Sequence, residues 1–166
     1  MNTAISPLNN GPLWVAAGAA IVAVLGAIGS GMGIERTTAH AGGILSEKPE
    51  LFGKMLVIMA LPGTQGFYSF VVAFLIMQFF GFIGGNPHAT IAQGVAIFIL
   101  GLFVGLDEFK TALDQAHSGI GALDLTAKRP EEGGRAILLP ALVETYAILG
   151  LLAGFLLTLW ISGKPF

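Results

Sequence analysis

The sequence contains no cysteine and few charged residues. Only 11% of its 166 residues are Asp, Glu, Lys or Arg, and Lys and Arg together number 8. The absence of cysteine excludes disulfides, thiolate metal sites and cysteine nucleophiles. So few basic residues, with a formal net charge of −2, also exclude a basic surface for nucleic acid. Any chemistry must therefore depend on oxygen atoms and a small number of charges.

Apolar residues dominate the chain instead. Hydrophobic residues make up 54% of it, and the mean hydropathy is +0.79. This is too apolar for a soluble domain of this size and is typical of a membrane protein. Since one bilayer span needs about 20 apolar residues, the length allows about four transmembrane helices and excludes an ATP-binding domain.

Four apolar runs predict an all-α membrane protein built from two helical hairpins. The third run is continuously apolar only to residue 106, but its helix is predicted to continue. The predicted transmembrane helices are about 13–33, 55–83, 89–122 and 136–161. The corresponding hairpins, each treated as one domain, are residues 1–84 and 85–166.

Basic residues are confined almost entirely to two connections. The connection between the first two helices and the connection between the last two carry nearly all of them, whereas residues 84–88 carry none. By the positive-inside rule, the charged loops 34–54 and 107–135 lie in the cytoplasm and both termini lie outside. The sequence therefore predicts a multi-pass protein of the cell membrane.

The second hairpin repeats the first at a shift of 81 positions, since 130 − 49 = 81 for two matching prolines. The identical pairs include Pro49 and Pro130, Glu50 and Glu131, Gly53 and Gly134, and Thr64 and Thr145. Charged loops do not align by chance as apolar helices do, so we interpret the chain as a tandemly duplicated hairpin. Both copies run in the same direction, which makes them parallel repeats and suits assembly into a ring.

The first helix is rich in small residues at four-residue spacing. Ala19, Ala23 and Ala27 form one line, and Gly29 and Gly33 form another. Small residues on several faces allow helix backbones to approach closely. We expect the first helix to lie in a crowded inner layer, with the bulkier second and fourth helices outside it.

Glu144 is a carboxylate within the last apolar run. It lies 144 − 135 = 9 residues beyond Arg135, which is about 13 Å of helix. A charged carboxylate at such a depth costs at least about 2.5–3.5 kcal/mol on insertion scales. Glu144 should therefore be either protonated and hydrogen-bonded or bound to a cation.

The most polar part of any other span lies at a similar depth in the second one. Thr64 and Gln65 supply a hydroxyl and an amide, and Pro62 just before them has no N–H to donate. Carbonyl groups next to a proline can leave the helical ladder. Carbonyl, hydroxyl, amide and carboxylate oxygens together suit a hard cation such as Na⁺, whereas a proton needs only the carboxylate.

Two motifs carry a resemblance to a known family. Leu-Pro-Gly-Thr-Gln-Gly at 61–66, followed by Tyr68, and Val-Glu-Thr-Tyr-Ala-Ile-Leu-Gly at 143–150 closely resemble the membrane rotor subunit K, or proteolipid, family of V-type sodium ATPases. The resemblance implies a ring of identical subunits that turns against a stator membrane subunit and contacts the central stalk. ATP would be hydrolysed in a separate head, so the chain itself would be no enzyme. Its cargo would be Na⁺, one ion per subunit.

The resemblance also implies a sodium site. Its ligands would be one main-chain oxygen and four side chains, from Leu61, Thr64, Gln65, Gln115 and Glu144. Tyr68 matches the residue whose hydroxyl holds the carboxylate in its ion-locked conformation. Gln115 is assigned by its separation from the carboxylate, 144 − 115 = 29, which is the separation found in the family.

Charged residues that precede Gln115 leave a second assignment open. A local match of residues 101–110 to the family would place Glu108 at the ligand position, at the expense of a seven-residue insertion. In a further interpretation, the stretch from Asp107 to Asp114 is a solvated cytoplasmic extension of the third helix and binds nothing.

Two other transport functions also fit a membrane carboxylate. In a proton-carrying ring, Thr64 and Gln65 would only hydrogen-bond a protonated Glu144. In a small proton-coupled multidrug transporter, a membrane glutamate would exchange protons for a cationic drug, and the protein would be a dimer with an open aromatic cavity. A purely structural four-helix scaffold would leave the coincidence of these three polar residues unexplained.

Overall fold

The computed structural model describes residues 9–164 as four long helical spans. Each is long and apolar enough to cross a membrane. The spans are Gly11–Glu47, Pro49–Phe79, Ile91–Lys128 and Pro130–Ser162. Residues 9–164 contain helices and turns but no strand. The prediction of an all-α protein with four transmembrane helices is confirmed.

Two of the spans are interrupted. The α-helices of the described residues are α1 Gly11–Glu47, α2 Phe52–Ala60, α3 Thr64–Phe79, α4 Ile91–Lys128, α5 Gly133–Ala136 and α6 Leu138–Ser162. Turns of 3-10 helix lie at Pro49–Leu51, Leu61–Gly63 and Pro130–Glu132. The second span therefore consists of α2 and α3, and the fourth span consists of α5 and α6.

The helices α1 and α4 are longer than the apolar runs that predicted them. Residues 34–47 and 123–128, which lie beyond the predicted ends of these helices, are helical as well. Each helix is followed by a basic residue that precedes a proline, and both of these residues have similar non-helical backbone angles, φ −132° at Lys48 and φ −136° at Arg129. Proline disfavours helical geometry in the residue before it. Apolar composition therefore marks the part in the bilayer, whereas proline determines where the helix ends.

The first and third spans pack closely against each other through glycines. A Cβ atom at Gly18 would lie 2.6 Å from the main-chain oxygen of Ile97, and one at Gly29 would lie 2.6 Å from the Cα of Phe109. No larger side chain fits between backbones this close, and small residues permit that approach. The close packing predicted for the first helix is thus found against α4.

The turn between the second and third spans also requires glycine. Gly81 and Gly85 have φ values of 77° and 72°, in the left-handed region that other residues rarely adopt. Beyond this turn, Thr90 and Gln93 form a capping box that starts α4. The second and third spans are therefore joined as an antiparallel pair.

Two apolar clusters leave a polar layer between them. One cluster includes Val15, Ile76 and Phe80 near the tip of the hairpin turn. The other includes Met55 and Leu123 at the opposite end. The buried polar residues that lie between these clusters along the spans include Ser30, Thr37, Gln65, Ser69, Glu108, Thr111 and Gln115.

Candidate ion-binding site

The carboxylate of Glu144 is hydrogen-bonded from two other spans. Its Oε2 accepts hydrogen bonds from Thr64 Oγ1 at 2.9 Å and from Gln115 Nε2 at 2.5 Å. Its Oε1 accepts one from the Tyr68 hydroxyl at 2.5 Å. Helices α3, α4 and α6 therefore meet at this carboxylate.

Two buried glutamines connect the second and third spans at the same level. Gln65 and Gln115 are both fully buried. The side chain of Gln65 donates from Nε2 to Oε1 of Gln115 at 2.8 Å. Gln115 Nε2 also lies 3.1 Å from the main-chain oxygen of Pro140 and can donate to it. The orientation of Gln115 is thus determined by partners on both neighbouring spans.

Acceptor oxygens outnumber hydrogens around Thr64. Its Oγ1 lies 2.9 Å from the Leu61 main-chain oxygen, 3.3 Å from Gln65 Oε1 and 2.9 Å from Glu144 Oε2. A hydroxyl has only one hydrogen to donate, so it can satisfy only one of these three oxygens at a time. Carbonyl, hydroxyl, amide and carboxylate oxygens converge here, and these are the ligand types that hard cations prefer.

Proline explains the local backbone of the site. Because Pro62 has no N–H, the helix tightens there into the 3-10 turn Leu61–Gly63, which separates α2 from α3. The turn directs the Leu61 main-chain oxygen toward the Thr64 hydroxyl. Gly33 of the first span makes room for it, since a Cβ atom at Gly33 would lie 2.6 Å from Cβ of Pro62.

The structure brings together all six residues that the sequence singled out. They are Leu61, Thr64, Gln65, Tyr68, Gln115 and Glu144. Of the two alternatives on the third span, Gln115 contacts the carboxylate. Within residues 9–164, neither side-chain oxygen of Glu108 has a hydrogen-bond partner.

The interpretation of residues 107–114 as a wholly solvated extension is wrong. Glu108 is 0% exposed, because it faces the other spans rather than solvent. Lys110 and Asp114 are on the exposed side and form an ion pair with each other. One helix face of this stretch is therefore buried and the other is open.

Sequence reasoning missed two contacts at the site. The Pro140 main-chain oxygen faces Gln115, and the Ser30 hydroxyl accepts a hydrogen bond from the Gly66 N–H at 2.7 Å. A proline four residues before Glu144 was a signal for the first contact, as Pro62 was for the second span. Nothing in the sequence pointed to the second contact.

Comparison with known proteins shows the family. The model of the family described as the C subunit of ATP synthase matches the chain twice, over residues 17–76 and 98–157. The chain belongs to the ATP synthase C-subunit family. The two matched segments of this C-subunit protein start 98 − 17 = 81 residues apart and end 157 − 76 = 81 residues apart. The tandem duplication predicted from the sequence is therefore confirmed at the same shift.

Several named proteins are similar in sequence to this C-subunit protein, some over most of its length and others over about half. V-type sodium ATPase subunit K of Enterococcus hirae is 34% identical over 151 residues, 91% of this chain and 94% of that protein. A-type ATP synthase subunit K of Methanocaldococcus jannaschii is 36% identical over 142 residues, 86% of this chain and 60% of that protein. The c' subunit of the V-type proton ATPase of Neurospora crassa is 31% identical over 90 residues, 54% of each chain.

Family membership decides among the function classes. A C-subunit protein is an ion-translocating membrane protein and not itself a catalyst, as predicted. The small multidrug transporter and the purely structural scaffold are excluded, because this chain matches the C-subunit family along both hairpins.

Proposed function

We propose that this C-subunit protein is the ion-carrying subunit of the rotor ring of a V-type ATPase, and that its cargo is Na⁺ bound at Glu144. Leu61, Thr64, Gln65, Gln115 and Glu144 supply the ligands, and Tyr68 holds the carboxylate in place. The name of the Enterococcus hirae relative, a sodium ATPase subunit, supports the choice of ion.

The excess of acceptor oxygens around Thr64 carries this proposal. The Glu144 carboxylate lies within hydrogen-bond distance of three donor groups, on Thr64, Tyr68 and Gln115. Among residues 9–164, no Lys or Arg pairs with this carboxylate. An ionised carboxylate in a membrane needs a cation. Na⁺ supplies the charge and also satisfies the surplus oxygens.

Neutralisation by Na⁺ explains how the site can cross the lipid-facing side of a ring. The fourth span, which carries Glu144, is the least buried of the four, with 17% of its most apolar stretch buried. With Na⁺ bound, the carboxylate can pass the bilayer at a much smaller electrostatic cost. In a half-channel at the stator subunit, breaking the Tyr68 hydrogen bond would free the carboxylate to exchange its ion.

The arrangement in the membrane follows from the charges. The ends that carry Lys48, Lys54 and Arg129 are placed in the cytoplasm by the positive-inside rule, with both termini outside. There Lys48 and Lys54 donate hydrogen bonds to main-chain oxygens of Ala127 and Pro130 and link the two hairpins. We assign this end to the central-stalk subunits and the middle of the fourth span to the stator membrane subunit.

A proton-carrying ring is the second candidate. The three groups that contact the Glu144 carboxylate could equally hydrogen-bond a protonated carboxyl, and the Neurospora crassa relative is named as a proton ATPase subunit. The two functions differ in one property that can be measured. Na⁺ protects the carboxyl from protonation only if Na⁺ is its ligand.

Carbodiimide labelling of the purified oligomer tests the proposal. A hydrophobic carbodiimide attacks a protonated membrane carboxyl, so labelling of Glu144 should slow in NaCl and not in KCl of equal concentration and pH. Gln65→Ala should weaken this protection, whereas Gln78→Ala, a glutamine on the same helix but exposed and outside the site, should leave it unchanged. Labelling that depends on pH alone would establish the proton-carrying ring, and no labelling of Glu144 would contradict both functions.

A further inference from the structure

A second carboxyl lies buried beside the ion-binding site and takes no part in it. Glu108 is 115 − 108 = 7 residues before Gln115 on α4, about 10 Å further along the helix toward the outer side. It is 0% exposed. Within residues 9–164, both of its side-chain oxygens and Oδ2 of Asp107 are buried without a hydrogen-bond partner.

The fourth span has a space that fits this acidic pair. A Cβ atom at Gly150 would overlap Oδ2 of Asp107 and lie 3.4 Å from Oε1 of Glu108. In the first hairpin the small and the larger residue are on the opposite helices, because there the first span has Gly26 and the second span has Ser69. A Cβ atom at Gly26 would overlap Ser69. At the repeat shift, Gly26 corresponds to Asp107 (26 + 81 = 107) and Ser69 corresponds to Gly150 (69 + 81 = 150). The absence of a side chain at Gly150 therefore leaves room for Asp107 and Glu108 between the third and fourth spans.

No basic residue in the described range 9–164 forms an ion pair with Glu108. Lys110, the basic residue nearest in sequence, is exposed and paired with Asp114. The titratable groups that interact electrostatically with Glu108 are Asp107, Glu144 and Tyr68, all of them acidic.

The first span supplies no neutralising group either. It packs against α4 at this level through Gly29 and Phe109. Its nearest titratable residue in sequence is Glu35, which is exposed. An ionised Glu108 would therefore be a buried charge without a counter-charge, which is very costly in a membrane.

The surroundings of Glu108 favour a proton over a metal ion. Within residues 9–164, no hydroxyl or amide group hydrogen-bonds either side-chain oxygen of Glu108, whereas three such groups surround Glu144. One turn away, the interface is apolar, with Val72 and Val104 packed around Gly154. Asp107 lines a groove that opens to the protein surface beside Tyr146 and Leu149. Glu108, by contrast, is closed off.

We propose that Glu108 is a second cation-binding carboxyl of this protein and that it binds a proton. Each chain then holds two monovalent cations in the membrane, Na⁺ on Glu144 and H⁺ on Glu108. The proton removes the second negative charge, so that binding one Na⁺ leaves both carboxyls neutral on the lipid-facing path. The inference rests on the proposed function only for the identity of the ion at Glu144.

Infrared spectroscopy of the intact purified oligomer tests this proposal. A protonated carboxylic acid gives a carbonyl band that is separate from that of a carboxylate. In saturating NaCl near neutral pH, wild-type protein should keep such a band because Na⁺ does not displace the proton of Glu108. The band should disappear in Glu108→Gln and persist in the matched variant Asp107→Asn and in Glu144→Gln.

Isotope labelling supplies a second readout if Glu108→Gln fails to assemble. The band of the wild-type protein should shift with carbon-13 glutamate and not with carbon-13 aspartate. A wild-type spectrum without the band in saturating NaCl would overturn the proposal, as would a band that is lost in Asp107→Asn or that does not shift with labelled glutamate.

The same spectra separate this inference from the proposed function. A second acid band, absent in Glu144→Gln and suppressed by NaCl but not KCl, reports Na⁺ binding at Glu144. If the intensity of that second band does not change with Na⁺ while the Glu108 band behaves as expected, the proposal of Na⁺ transport is contradicted. The proposal of a proton on Glu108 is then still supported.

Discussion

The two hairpins share one fold but differ in the middle of the membrane. At the repeat shift of 81 positions, Gly63 of the first hairpin corresponds to Glu144 of the second, and Ile34 corresponds to Gln115. Ala27 likewise corresponds to Glu108. Polar residues on the third and fourth spans therefore stand where the first and second spans have apolar residues or glycine.

This difference shows that the residues around Glu144 come from both hairpins. The second span contributes Thr64, Gln65 and Tyr68, whereas the second hairpin contributes Gln115 and the carboxylate. Neither hairpin contains all of the side chains that meet at Glu144. A duplicated fold thus holds one carboxylate site for every four helices.

A threonine occupies equivalent positions in both hairpins and allows the most direct comparison between them. Thr64 contacts the Glu144 carboxylate. Thr145 is exposed, and its hydroxyl donates to the main-chain oxygen of Leu142 at 2.8 Å, within its own helix. The same residue type is a candidate ligand in one copy and a surface residue in the other.

The largest effect is expected from Glu144→Gln, which leaves α6 without a charged residue, like α3 of the second span. Gln keeps the shape but cannot balance a cation, so saturable Na⁺ binding and Na⁺-driven transport should be lost. Na⁺ uptake into vesicles with the reconstituted complex measures this. Glu131→Gln, in the charged connection, is the control and should transport normally. Saturable Na⁺ binding in Glu144→Gln would contradict the assignment.

A smaller effect is expected from Thr64→Val, with Thr145→Val as its matched control. A hydrogen bond to a charged group contributes about 1.5–3 kcal/mol, so Na⁺ affinity should fall by about 10–100-fold in Thr64→Val. Thr145→Val should change it by less than about twofold, because that hydroxyl only bonds its own helix. The concentration of NaCl that halves carbodiimide labelling measures both. Equal effects of the two variants would show that Thr64 is no ligand.

Tyr68→Phe should have a still smaller effect. It removes one hydrogen bond to Oε1 of Glu144 but no ligand, so Na⁺ affinity should fall by about tenfold at most. The freed carboxylate should also exchange its ion faster, which a Na⁺-release time course would detect. Tyr146→Phe alters a 65% exposed tyrosine and serves as the control. Unchanged release in Tyr68→Phe would remove the locking role.

The smallest effect is expected from Gly150→Ala, which removes a size difference between the hairpins. The new methyl group would overlap Asp107, and such overpacking typically destabilises by about 1–3 kcal/mol. We expect the low end, because the overlapping atom is a side-chain end that can shift. Heating the oligomer and following its dissociation measures the loss. The double variant Asp107→Ala with Gly150→Ala should recover it, and failure to recover would mean that the two residues do not share this space.

Much of the fold could be predicted from the sequence because apolar runs and proline are local signals. The four spans, the repeat and the shared level of Thr64 and Glu144 all follow from counting residues along helices. The ends of α1 at Glu47 and of α4 at Lys128 were missed, because hydropathy indicates which residues lie in the bilayer and not where the helix ends.

The third span could not be resolved in the same way. Glu108 and Gln115 are seven residues apart, close to two helical turns, so they lie on the same face of α4. Which of them meets Glu144 depends on how far α4 is shifted along its axis relative to α6, and no local pattern encodes that shift. The space at Gly150 is likewise a property of two spans packed together.

The stoichiometry of Na⁺ tests the central claim most directly, namely that two similar hairpins form one sodium site. Equilibrium dialysis of the purified oligomer against radioactive sodium, with KCl to hold the ionic strength constant, counts the ions bound per chain. The account predicts one saturable Na⁺ per chain, and none in Glu144→Gln. Two Na⁺ per chain, or none in the wild-type protein, would contradict it.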